Sequence, residues 1–70
     1  MAHNHVFKGS SSIANCSYDS EKGCMEIEFI SGGRYRYPDC KYDDYHNLTQ
    51  AESPGKHFHK FIKHLKAEKL

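Results

Sequence analysis

The segment Ser53-Pro54-Gly55-Lys56-His57-Phe58 has the residue types and spacing to hold a ligand. Ser53 is a favoured helix N-cap. Pro54 then falls at the first helical position, where its missing N–H costs nothing. Gly55 is a poor helix former, by about 1 kcal/mol against Ala, so a glycine there points to a need for backbone room beside a packed strand or a ligand. Lys56 and His57 set positive or switchable charge beside the free N–H groups of the helix start, a combination that can hold an anion. The same residues also describe a well-capped helix next to a tight packing contact, and the sequence leaves both readings open.

The basic residues continue beyond that start. Lys56, Lys60 and Lys63 share one side of a helix, with His57 and His64 beside them, and no acidic residue intervenes before Glu68. Such a face can track a phosphate backbone, although most lysine stripes are only solvated. Arg34 and Arg36 form a second, weaker candidate surface with Tyr35 and Tyr37 on the other side of the same strand. The tyrosines could stack bases, but core packing is the plainer reading. The arginines face Glu26 and Glu28, which cancel their charge.

Other chemistries find little support. The six histidines lack ligand spacing: His57 and His59 diverge at i and i+2, and His57 and His64 are two turns apart. His3-Asn4-His5 resembles a nuclease motif only in its letters. No phosphate-cradling glycine loop and no recognisable Cys–His pair is present. We therefore expect no catalytic residues, no metal and no cofactor.

The elements that must position these residues begin with a tail. Residues 1–11 show no periodicity and are expected to be flexible, leaving a single domain over 12–70. Ile13 to Tyr18 reads as a strand, with Ala14, Cys16 and Tyr18 on one face. Asp19 to Gly23 is a polar turn whose glycine suits a left-handed position. From Cys24 to Ile30, Met25, Ile27 and Phe29 alternate with Glu26 and Glu28. A three-residue loop, Ser31-Gly32-Gly33, then pairs Phe29 with Tyr35, Ile27 with Tyr37 and Glu28 with Arg36, which keeps each face chemically uniform. Asp39 can cap a first helix that presents Tyr42, Tyr45, Leu48 and Thr49 and runs to about Ala51. In the second, Phe58, Phe61, Ile62 and Leu65 are spaced i, i+3, i+4, i+7. The expected fold is α+β: a three-stranded antiparallel meander followed by two helices packed on one face. Met25, Ile27, Phe29, Phe58, Ile62 and Leu65 are expected to be buried together.

Composition limits the function. The chain has 70 residues, no Trp and 37% hydrophobic residues, so its core is small and partners or self-association would help it. A net charge of +1 is not that of a duplex binder, so any nucleic-acid contact must be local. The three cysteines lack C-x-x-C spacing, no apolar run reads as a signal peptide and nothing reads as a membrane span, which makes a cytoplasmic protein with free thiols the expectation.

Taken in order, these motifs resemble the KTSC domain family. The residues that carry the resemblance are the strand from Ile13 to Tyr18, Met25-Glu26-Ile27-Glu28-Phe29, and Gly33-Arg34-Tyr35-Arg36-Tyr37 with its Y-x-Y. Ala51-Glu52-Ser53-Pro54-Gly55-Lys56-His57-Phe58 and Ile62 complete them, matching A-x-S-x-G-x-x-F-x-x-x-I. The match covers about residues 11 to 64. Cys40-Lys41 departs from the Val-Pro expected there, which would loosen the approach to the first helix. The resemblance implies a lysyl-tRNA synthetase C-terminal-type domain, also found alone in bacteria and phages, with RNA binding suggested by that fusion and no catalytic motif. The lead expectation is thus a non-enzymatic module that binds RNA or another phosphate-bearing ligand through Ser53, Gly55, Lys56, His57, Lys60 and Lys63. A small phage-type protein-interaction or inhibitor protein is the rival. An oligomer that captures nucleotides between subunits is a third reading.

Overall fold

A computed structural model describes residues 2–70. Its central element is a five-stranded antiparallel sheet in the order β1-β2-β3-β4-β5: Ala2–Val6, Ile13–Asp19, Cys24–Phe29, Arg34–Tyr37 and Glu68–Lys69. Two helices, α1 (Tyr42–Gln50) and α2 (Pro54–His57), lie between β4 and β5, and α2 runs directly into a π-turn over Phe58–Ile62. The α+β class stands, but the expected three-stranded meander is the middle of a wider sheet.

Both extra strands lie at the edges. Residues 2–6, expected within a flexible tail, pair with β2 from Ala2↔Asp19 to Val6↔Asn15. The strand does alternate, but its inward residues are the half-buried His3 and His5 rather than aliphatic ones. The His3 ring sits 5.2 Å from Tyr42 and 6.1 Å from Tyr45, so aromatic contacts with α1 seat the strand. At the other edge Glu68 pairs with Arg36 and Lys69 with Tyr35, and the Leu70 N–H donates to the Arg34 carbonyl at 2.9 Å.

The inner hairpins follow the expected faces with a shifted register. Ile27 pairs with Tyr35, Met25 with Tyr37 and Glu26 with Arg36, two residues away from the expected alignment. The loop has three residues, but they are Ile30-Ser31-Gly32. Gly32 takes φ +104° and donates to the Phe29 carbonyl at 2.9 Å, and the Phe29 N–H bonds the Gly33 carbonyl at 2.8 Å. The left-handed glycine must close the turn, which places Gly33 just before β4 and pushes Ile30 out to 55% exposure. A shift of two leaves every side chain on its face, so the charged ladder survives with different partners. Arg34 Nη2 lies 3.3 Å from Glu26 Oε1, and Arg36 Nε lies 3.6 Å from Glu26 Oε2, in place of the expected Glu28–Arg36 pair.

An irregularity between Ile13 and Asn15 turns the start of β2. Ile13, rather than Ala14, thereby joins Cys16 and Tyr18 in the core, as a bulge permits. The turn after β2 matches expectation: Gly23 has φ +66°, and Asp19 Oδ1 accepts the N–H groups of Glu21 and Lys22 at 3.0 and 3.2 Å.

The helices share one face of the sheet. A single cluster joins Ile13, Cys16, Met25, Ile27 and Tyr37 to Cys40, Tyr45, Leu48 and Ile62, with Phe29, Phe58 and Leu65 packed partly buried against it. Lys41, not Asp39, is the N-cap of α1, and its N–H donates to Asp44 Oδ2 at 2.8 Å. Cys40, at the site of the family departure, is fully buried.

The second helix differs most from its apolar stripe. The Lys63 N–H bonds the Phe58 carbonyl at 2.8 Å, an i→i+5 bond that widens the turn. In that wider turn residues four apart stay nearly in line, and residues three apart swing away. Phe58 therefore stays inward with Ile62, its ring 5.2 Å from Phe29 and 6.1 Å from Tyr37, while Phe61 is 51% exposed.

Candidate functional site

A cleft of about 490 Å³ opens between the β1–β2 connection and the start of α2. Phe7, Lys8, Gly9, Ser10, Ser11 and Ser12 form one wall, and Glu52, Ser53, Pro54, Gly55, Lys56 and His59 form the other. The serine wall is held by its own turn: Ser10 Oγ accepts the N–H groups of Ser12 and Ile13 at 3.3 and 3.1 Å, and Gly9 takes φ +85°. Ser53 is the N-cap residue, as expected, yet its hydroxyl makes no capping bond. Lys8, Lys56 and His59 are exposed, so two lysines and a histidine stand at the rim with one acidic residue, Glu52.

The candidate residues are thus divided. Ser53, Gly55 and Lys56 line the cleft. His57 does not: its ring packs 4.7 Å from Phe61 on another side of the turn. Lys60 and Lys63 are exposed outside the cleft. Lys8, Ser10, Ser11, Ser12 and His59 join the site although the sequence did not point to them, because Gly9 to Ser12 read as linker. The usable signal was the run of hydroxyls placed just before a strand.

Gly55 has a local explanation. A Cβ at this position would run into Ser12 Oγ, while Ser12 Cβ would stay at an ordinary 3.7 Å. The close approach is therefore to the strand side of the cleft, and the obstacle is a hydroxyl that one rotation removes. Gly55→Ala should gain stability more in a Ser12→Ala background than in the native chain, with an upper limit of about 1 kcal/mol from helix propensity. A thermal-melt double-mutant cycle checks this; equal gains in both backgrounds would show that the two residues do not meet.

The sheet candidates separate by face. Tyr37 is buried, and Tyr35 is half-buried with its ring 5.8 Å from Phe29, so both pack on the core side. Burial also raises the Tyr37 hydroxyl above its ordinary 10.0, with smaller contributions from Cys40 and Tyr35. Arg34 and Arg36 lie on the opposite face, where Glu26 meets both of them. All three cysteines are buried free thiols. Among the described residues no group of three or more His, Cys, Asp or Glu side chains is placed to hold a metal ion, and no helix is long and apolar enough to cross a membrane.

A small antiparallel sheet covered on one face by two short helices, with a polar cleft at the second, defines the class. The chain belongs to the KTSC domain family, whose sequence model matches residues 9–65. It is 39% identical over 54 residues to an uncharacterized protein of Stutzerimonas stutzeri (strain A1501), covering 77% of this chain and 76% of that one. The crystal structure of KTSC domain protein YPO2434 from Yersinia pestis shares the fold with a TM-score of 0.89 at 27% identity, over 100% of this chain and 99% of that one.

Proposed function

We propose that this protein is a non-enzymatic binding module for a phosphate-bearing ligand, with single-stranded RNA as the ligand class to test first. The reading rests on the cleft at the start of α2, which Lys8, Lys56 and His59 line together with Ser10, Ser11, Ser12 and Ser53. Hydroxyl donors and flexible ammonium groups suit phosphate oxygens, and Glu52 selects against anions that reach its side of the cleft. Lys60 and Lys63 carry the positive charge beyond the cleft along the π-turn, so a chain of phosphates suits the surface better than a single small anion.

One observation favours a protein partner instead. β1 is an edge strand with the sequence Ala-His-Asn-His-Val, lacking the lysine or proline that commonly protects sheet edges, and Val6 is 59% exposed. The two readings separate in solution. Fluorescence anisotropy with a labelled single-stranded RNA should show binding that falls steeply with salt. Replacing Lys56, Lys60 and Lys63 together with Gln should weaken it and flatten the logarithmic salt slope by about 0.7 for each phosphate no longer neutralised. Lys8→Gln should weaken binding as well, since Lys8 lines the same cleft as Lys56. Salt-independent binding, or none at low salt, transfers the proposal to the protein partner.

A further inference from the structure

The π-turn holds an aromatic ring in the middle of the basic segment, and we infer that Phe61 is a base-stacking residue for single-stranded RNA. This inference rests on the phosphate-binding reading above and names a further contact for the same ligand. In a regular helix Phe61 would lie beside Phe58 and Ile62 and help to fill the core. The i→i+5 bond from Lys63 to Phe58 instead keeps those two residues inward and leaves Phe61 51% exposed. π-turns are rare, and many occur at functional sites.

The surroundings of the ring indicate the ligand. The His57 ring lies 4.7 Å from that of Phe61, and Lys60 Nζ stands 5.3 Å from its centroid. Lys56, Lys63 and His64 are exposed on the same short segment. The other exposed large apolar residues differ: Val6, Ile30 and Leu70 have no π face, and the Tyr42 ring packs against four other rings, those of His3, Tyr18, Tyr45 and His46, where Phe61 meets one ring, His57, and the Lys60 ammonium. Lys60 lies over one face of the ring and His57 tilts against it, yet half of Phe61 stays exposed, and that exposed aromatic surface beside lysines matches a planar base attached to a phosphate, because stacking and charge neutralisation then occur within one nucleotide. A duplex keeps its bases stacked inside and offers no such face. An apolar peptide would require a contiguous greasy patch, whereas Phe61 has charged and imidazole neighbours.

The chain contains no Trp, so Phe61→Trp carries a single indole at the proposed contact. Titrating this variant with oligouridylate should quench its fluorescence saturably, with the same midpoint as anisotropy measured on the labelled RNA. Inorganic polyphosphate, which has the charge without the bases, should compete for binding and leave the emission unquenched. Phe61→Ala should weaken oligonucleotide binding by about tenfold, while its salt slope and its polyphosphate affinity stay at the native values. Phe61→Tyr should bind as the native chain does. If Phe61→Ala leaves RNA affinity unchanged while the triple lysine variant loses it, stacking is overturned and the phosphate reading stands. Equal losses for RNA and polyphosphate, or an indole that RNA does not quench, also overturn it. No binding of RNA or polyphosphate by the native chain at low salt overturns both.

Discussion

Ile62→Ala should destabilise the protein by about 2–5 kcal/mol, the range for removing a fully buried branched side chain and leaving a cavity. For a domain of this size the whole stability is only about 4–10 kcal/mol by the usual per-residue range, so this one change removes a large part of it. The cost is concentrated because Ile62 is the only residue of α2 and the π-turn that is nearly inaccessible, at 1% exposure. Its loss frees the turn that carries Phe58 against Phe29 and Tyr37. Phe61→Ala, one position earlier and a larger truncation, should change stability by no more than about 0.5 kcal/mol, as surface substitutions usually do. Urea denaturation of the two variants checks the contrast. Similar costs would mean that both side chains are buried on a regular helical stripe and that the wider turn does not form in solution.

The second large effect is expected in alkali. Burial pushes the Cys16 and Cys40 thiols from their ordinary 9.0 to about 12, with the Asp44 and Asp39 charges adding to the rise at Cys40. Burial is also the main cause that raises the hydroxyls of Tyr37 and Tyr45 above 10.0. Each of these groups keeps its proton in the folded state at a pH where the unfolded chain releases it. Stability from this source is therefore complete below pH 9.0 and is lost as pH rises from there toward about 12. With two such thiols in a small core, the urea midpoint should fall steadily above about pH 9. Cys16→Ala and Cys40→Ala should each reduce the slope of that fall, even though each lowers the midpoint at neutral pH. At pH 8 a thiol reagent should label the native protein only as fast as it opens, since Cys16, Cys24 and Cys40 are all buried. A midpoint that stays flat through about pH 10.5, or immediate labelling at pH 8, would contradict this account.

Within the helix-start segment, burial and charge separate residues that look alike as letters. Lys56 faces the cleft together with Lys8, whereas Lys60 lies over Phe61. A phosphate ligand that occupies only the cleft should depend on Lys8 and Lys56. One that continues along the chain should depend on Lys60 and Lys63 as well.

The sequence alone determined what depends on local periodicity and local backbone chemistry. Met25, Ile27 and Phe29 alternate with Glu26 and Glu28, and that period of two assigned both faces of the inner hairpin. Gly23 marked its turn because an L side chain is strained at positive φ, and Ser53-Pro54 marked the start of α2 because proline suits only a first turn. The KTSC pattern was legible for the same reason, since it consists of such local signals in order. Tertiary structure decided what depends on neighbours distant in the chain. β1 was hidden because its inward residues are histidines, which become core-facing only where other rings meet them: Tyr42 and Tyr45 for His3, and Phe7 for His5. The two-residue shift between β3 and β4 was hidden because both registers satisfy the same faces, and only the closure of the Gly32 turn distinguishes them. The exposure of Phe61 was hidden because an α-turn and a π-turn share one sequence pattern, and in the wider one Phe58 and Ile62 pack on the core while Phe61 swings out. The cleft belongs to neither of its walls: it exists because β1 brings the serine run to the foot of α2, a juxtaposition of segments far apart in the chain.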